Sequence, residues 1–206
     1  VEGVHCGPDM YVLMERTKAF RPSACLYTTR KALLDGCGLR FLDGILHEDV
    51  LFQMQLIPHP QRVAFLNEPL YQRRMREGSI MTTRPTMRNV HGLAVTAQRM
   101  QEWLAAHAGE YSHEFCEAYA WRTSDTREVA ARYLREIDEA DVAAYRKGLS
   151  VEELAAFDLH VLICAVGGLA KDNVTQLFPV GLSDFNGLRR RPHSQQASRC
   201  TSLRSS

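Results

Sequence analysis

The sequence predicts an α/β fold that passes into an α-helical region, and three observations lead there. Residues 10–83 are dense in short strand and turn signals, residues 86 to about 178 carry helical spacing almost without interruption, and residues 188–206 hold almost nothing apolar. The expected domains are therefore 1–85, 86–187 and a disordered basic tail at 188–206, since a segment so poor in apolar residues cannot offset its ordering entropy.

In the first part, Ala24-Cys25-Leu26-Tyr27 reads as a short buried strand, and Arg30 to Cys37 as a helix stopped by Gly36 and Gly38. Asp43-Gly44 is a turn between apolar flanks. From Glu48 to Ile57 the apolar residues crowd one side of a helix that ends before Pro58 and Pro60. Arg62 to Leu66 reads as a further strand, and Glu68 to Tyr71 as an extended piece running into a basic loop. In the second part, Val90, Leu93, Ala94, Ala97, Met100 and Leu104 form one helical stripe, and Val129, Tyr133 and Ile137 another. Ser150-Val151-Glu152-Glu153 has the reciprocal capping pattern that starts a helix before Leu154 and Phe157.

Composition narrows the function classes. In 206 residues, 25 basic side chains face 24 acidic ones, so the net charge of +1 gives no field that implies nucleic acid or an anionic membrane. Six scattered cysteines without a CxxC pair suggest neither a zinc knuckle nor a redox dithiol, and read as buried free thiols in a reducing cytoplasm. The apolar stretch Leu159 to Ala170 contains His160 and Gly167-Gly168 and is shorter than the roughly 20 residues a membrane crossing needs. The chain opens on Val1, with no signal-peptide layout.

Two clusters could carry chemistry. His47-Glu48-Asp49 stands at the expected start of a helix, where exposed N–H groups and the helix dipole favour an ionised carboxylate able to accept a proton. The same residues also suit an ordinary helix cap. Arg73, Arg74 and Arg76, followed by Gly78 and Ser79, could hold a diphosphate through bidentate guanidinium contacts, or could form a solvated basic turn.

Taken together and in order, "RPSACLYTTRKALLDGCGLRF", "DGILHEDVLF" and "RVAFLNEPLYQRRMREGSIMTT" resemble the C-terminal half of the catalytic domain of family 2 glycosyltransferases of GT-A type, over residues 21–83. The resemblance implies a partial GT-A domain, with Asp49 as catalytic base and Glu48 orienting it or holding the acceptor. Arg76, Arg73 and Ser79 would meet the donor diphosphate. His47 would hydrogen-bond that diphosphate or approach the metal, unless it only caps or packs the helix. It further implies a nucleotide-diphosphate sugar, with uridine diphosphate the common case, and a sugar, glycan or lipid-linked acceptor. A divalent metal, Mg or Mn, is also implied, and the place of action is cytoplasmic or at the inner membrane face. The family's nucleotide-binding half and Asp-x-Asp metal motif have no counterpart in this sequence, so a truncated chain with an exposed apolar sheet face and a tendency to self-associate is expected. The alternative is a noncatalytic interaction module or remnant.

Overall fold

The computed structural model describes residues 2–74, 78, 83–151, 153–155 and 157. The elements are β1 (Val4–His5), α1 (Gly7–Arg16), a 3₁₀ turn (Ala24–Leu26), α2 (Lys31–Cys37), α3 (Glu48–Leu56), β2 (Val63–Ala64), α4 (Met87–His107), a second 3₁₀ turn (Ala108–Glu110), α5 (His113–Arg135) and α6 (Glu139–Lys147). Among these residues the class is mainly helical, which corrects the α/β expectation and with it the partial GT-A domain. The sheet consists of β1 paired antiparallel with β2, with Val4 opposite Ala64 and His5 opposite Val63.

The strand signals fail for physical reasons. Ala24 to Tyr27 closes into a 3₁₀ turn, with Leu26 N–H donating to Ser23 C=O at 3.0 Å, because a four-residue apolar run has no neighbouring ladder to complete its hydrogen bonds. Arg62 to Leu66 yields two paired residues, and Leu66 stands 68% exposed. The expected apolar sheet face is thus replaced by individually exposed side chains, Leu66 and Leu70 above all.

A helix not expected from the sequence, α1, supplies part of the core. Its run Met10 to Met14 fits a buried strand as well as a helix, but Pro8 in the first turn and Asp9 at the dipole's positive end favour the helix. Met10 and Tyr11 from α1, Leu51 and Met54 from α3, Met100 from α4, and Phe115 and Tyr119 from α5 share one core. Residues on both sides of position 85 thus pack together. Tyr11 meets Phe20 and Phe115 edge to face at 5.0 and 5.8 Å, a preferred aromatic geometry.

The α4 stripe is buried as read, from Val90 to Met100, with Leu104 half-buried. It packs antiparallel against α5, where Leu93 and Ala94 meet Ala130 and Ala131, and Trp103 stacks on Tyr119 at 4.9 Å. On α5 the fully buried residues are Phe115, Cys116, Tyr119, Thr123, Thr126, Ala130 and Ala131, while Val129 and Tyr133 of the expected stripe are only partly covered. The Ser150 cap forms: Ser150 N–H donates to Glu153 Oε2 at 2.8 Å, and Glu153 N–H donates to Ser150 Oγ at 3.2 Å. Phe157 then closes a satellite cluster with Met87 and Val90. Helix α2 ends at Gly38 in left-handed conformation, φ 64°, as its glycine suggests.

Of the described cysteines only Cys116 is buried, whereas Cys6 and Cys37 are half-buried and Cys25 is exposed, which corrects the expectation of buried thiols. Among the described residues no helix is long and apolar enough to cross a membrane. The apolar stretch Leu159 to Ala170 and the tail 188–206 lie outside the described residues.

Candidate functional site

The first turn of α3 is built by a tight approach of two backbones. A Cβ at Gly92 of α4 would lie 2.1 Å from Leu46 C=O, so only glycine lets α4 rest directly on the segment leading into α3. Beside that contact His47 adopts φ 66°, ψ 27°, a left-handed conformation costly for a residue with a Cβ. Its side chain does not cap the helix. Instead His47 Nε2 lies 3.3 Å from Asn89 Nδ2. Asn89 Oδ1 accepts from Thr86 N–H and Thr86 Oγ1, each at 2.9 Å, which turns the Asn89 amide NH₂ toward His47. Nε2 is then the acceptor, and the ring proton sits on Nδ1. Burial holds the His47 imidazole below its ordinary value and hence neutral, against the pull of Asp49 and Glu48.

Glu48 and Asp49 follow in the first turn, both half-buried. Asp49 is raised above the usual carboxylate range, first by burial and then by the Glu48 charge, with a Val50 backbone N–H pulling the other way. That last contact ties the carboxylate to the first turn of α3. Asp49 lies within electrostatic range of Cys25 on the first 3₁₀ turn. The Cys25 thiol is lowered by hydrogen bonds from Ser23, whose Oγ is 3.2 Å away, and from the Tyr71 hydroxyl. Tyr71 in turn feels Arg73. Contacts thus run from the start of α3 through the 24–26 turn to Tyr71, with Arg73 two residues further along the chain. Arg73 is exposed. Arg76 and Ser79 lie outside the described residues.

His47 faces elsewhere. With Val50 it lines a cavity of about 370 Å³ between α3, α4 and α5, whose lining includes neither Glu48 nor Asp49. Its polar wall is made by Asn89, Arg122, Asp125, Thr126 and Tyr133, and apolar contacts come from Leu93 and Val129. The Arg122 guanidinium is engaged on three sides. Nε and Nη2 donate to the two Glu15 carboxylate oxygens at 2.8 Å each, and Nη1 donates to Asp125 Oδ2 at 2.9 Å. The sequence reading missed this wall. Its available signal was Arg122, Asp125, Thr126, Val129 and Tyr133 falling on one face of a helix at three-and-four spacing.

Among the described residues no three of His, Cys, Asp or Glu converge as ligands of a metal ion. Searches against protein-family models, curated proteins and solved structures found no match for this chain.

Proposed function

We propose that the protein takes part in glycosyl transfer, passing a sugar from a nucleotide-diphosphate sugar to an acceptor hydroxyl with inversion at the anomeric carbon. The observation that carries this reading is the half-buried Asp49 at the start of α3, a carboxylate held above its ordinary pKa beside Glu48. A base works best when its pKa approaches the working pH, so the shift moves Asp49 in the useful direction. Asp49 takes the acceptor hydroxyl proton as the oxygen attacks the anomeric carbon. The bond from that carbon to the diphosphate oxygen breaks, and the electron pair leaves with the nucleoside diphosphate. Glu48 orients the base or the acceptor. Arg73, Arg76 and Ser79 meet the charge that grows on the leaving group, in the manner of preorganised donors. Uridine diphosphate sugar is the first donor to test, and the reading sets the reaction in the cytoplasm or at the inner membrane face.

Exposed Leu66 and Leu70, at 68% and 71%, favour a second reading as a noncatalytic interaction module. The two readings part on Asp49→Asn, which keeps the shape and removes the proton acceptor. Sugar transfer from a panel of uridine diphosphate sugars should fall by about 10² to 10⁴ in turnover, with donor affinity little changed. Turnover close to the parent would reduce Asp49 to a helix cap, and no transfer from any donor by the parent protein would favour the module.

A further inference from the structure

The cavity between α3, α4 and α5 has a charge pattern that selects among ligands. Its cation, Arg122, is matched by two carboxylates, Glu15 and Asp125, and three of its five N–H donors are committed to them at 2.8–2.9 Å. The Arg122 side chain is 14% exposed and Glu15 10%, so the pair is held by packing as well as by charge. A diphosphate entering here would meet a guanidinium already satisfied and, close behind it, two negative charges. An uncharged ligand meets no such penalty. It finds groups suited to hydroxyls: the Asp125 carboxylate and Thr126 Oγ1 as acceptors, the latter with its own proton on Arg122 C=O at 2.9 Å, and the half-buried His47 imidazole, with Leu93 and Val129 to cover carbon. At about 370 Å³ the space falls at the small end of ligand pockets.

We propose that this cavity binds a neutral, hydroxyl-bearing sugar in a site apart from the Asp49 carboxylate, which is not among its lining residues. The inference rests on the glycosyl-transfer reading. His47 and Val50 line the cavity while Glu48 and Asp49, between them in the chain, do not, so a sugar seated there meets a different face of the α3 start from the one that carries the carboxylates. His47 then serves the sugar and not a diphosphate.

Ligand-observed NMR on the purified protein tests this, with glucose, galactose and N-acetylglucosamine as probes and uridine diphosphate as challenger. Binding of at least one sugar is expected to weaken roughly tenfold or more in Val129→Phe, which fills the cavity, and about tenfold in Thr126→Val, which removes one hydroxyl. Lys31→Ala on α2 should leave it unchanged, and uridine diphosphate should not displace the sugar. Two variants guard against a folding defect in either, with far-ultraviolet circular dichroism confirming helix content. No sugar binding, binding as tight as the parent's in both cavity variants, or displacement by uridine diphosphate would overturn the inference. Cavity-dependent sugar binding with unaltered turnover in Asp49→Asn would instead overturn the base assignment and leave the sugar site standing.

Discussion

At the scale of single residues, the strongest polar contact is the one joining Arg122 to Glu15. The guanidinium also lies over Phe20 at 5.2 Å and Trp121 at 4.8 Å, so its charge is surrounded by carboxylate oxygens and ring faces and little water. Removing one partner of such a pair leaves the other desolvated. Glu15→Ala should therefore destabilise the protein by about 3 to 5 kcal/mol in urea denaturation. A loss below about 1 kcal/mol would mark the pair as an ordinary surface contact. None of this was legible beforehand, since Arg122 and Glu15 are separated by 107 residues and nothing local in either segment marks the other. His47, Glu48 and Asp49 were legible as a cluster, because adjacent titratable groups at a helix start announce themselves in one dimension. That His47 turns toward Asn89 while Asp49 neighbours Cys25 was not legible, because it follows from a left-handed residue and from which helices flank it.

At the scale of elements, helix boundaries set by local chemistry were readable. Glu48–Leu56 ends near Pro58, Lys31–Cys37 ends at Gly38, and Ser150 caps the helix that follows. Strands were not readable, since a strand exists only when another chain segment supplies its ladder. The packing of α4 on the segment before α3 gives a sharp contrast between two glycines. Gly92→Ala puts a methyl group 2.1 Å from Leu46 C=O, where backbone must move, whereas a Cβ at Gly36 in α2 meets nothing within 4 Å. Gly92→Ala should cost about 1 to 3 kcal/mol and shift the His47 ring resonances. Gly36→Ala should stabilise by about 0.5 to 1 kcal/mol through helix propensity and a less flexible unfolded chain. Thermal melts of both variants, with the His47 signals followed by NMR, check the pair. A neutral Gly92→Ala would mean that α4 does not rest on Leu46 as described.

At the scale of the whole molecule, three histidines tie stability to pH. Burial lowers His47 and His91, and it lowers His59 together with the nearby His107. In the unfolded chain each takes up a proton near the ordinary value of about 6.5, while the folded protein resists until lower pH. In that window the unfolded state binds more protons, so folding stability is full above about pH 6.5 and is lost as pH falls toward the folded values. Asp49, raised in the fold, has the opposite sign, but its window begins at the low carboxylate end and climbs from there. The melting temperature should therefore drop between pH 7.5 and 5.5, and replacing His91 by Gln should flatten the slope. A melting temperature that holds steady or rises on acidification would contradict the assignment of these half-buried histidines as neutral in the fold. His91 is the most informative of the three, since its Nδ1 lies 2.7 Å from the Tyr145 hydroxyl and so links α4 to α6.

Local sequence settled the ends of α2 and α3, the Ser150 cap, which face of α4 is buried, and that two carboxylates and an imidazole gather at one helix start. These are properties of residues a few positions apart, carried by caps, prolines, glycines and a 3.6-residue period. Only the tertiary structure decided that the class is mainly helical, that α1 joins α3, α4 and α5 in one core, and that Glu15 and Asp125 neutralise Arg122 in the wall beside His47. Each of those depends on segments tens of residues apart meeting in space. A strand without a partner, a cavity and a desolvated ion pair have no signature in any one stretch of chain.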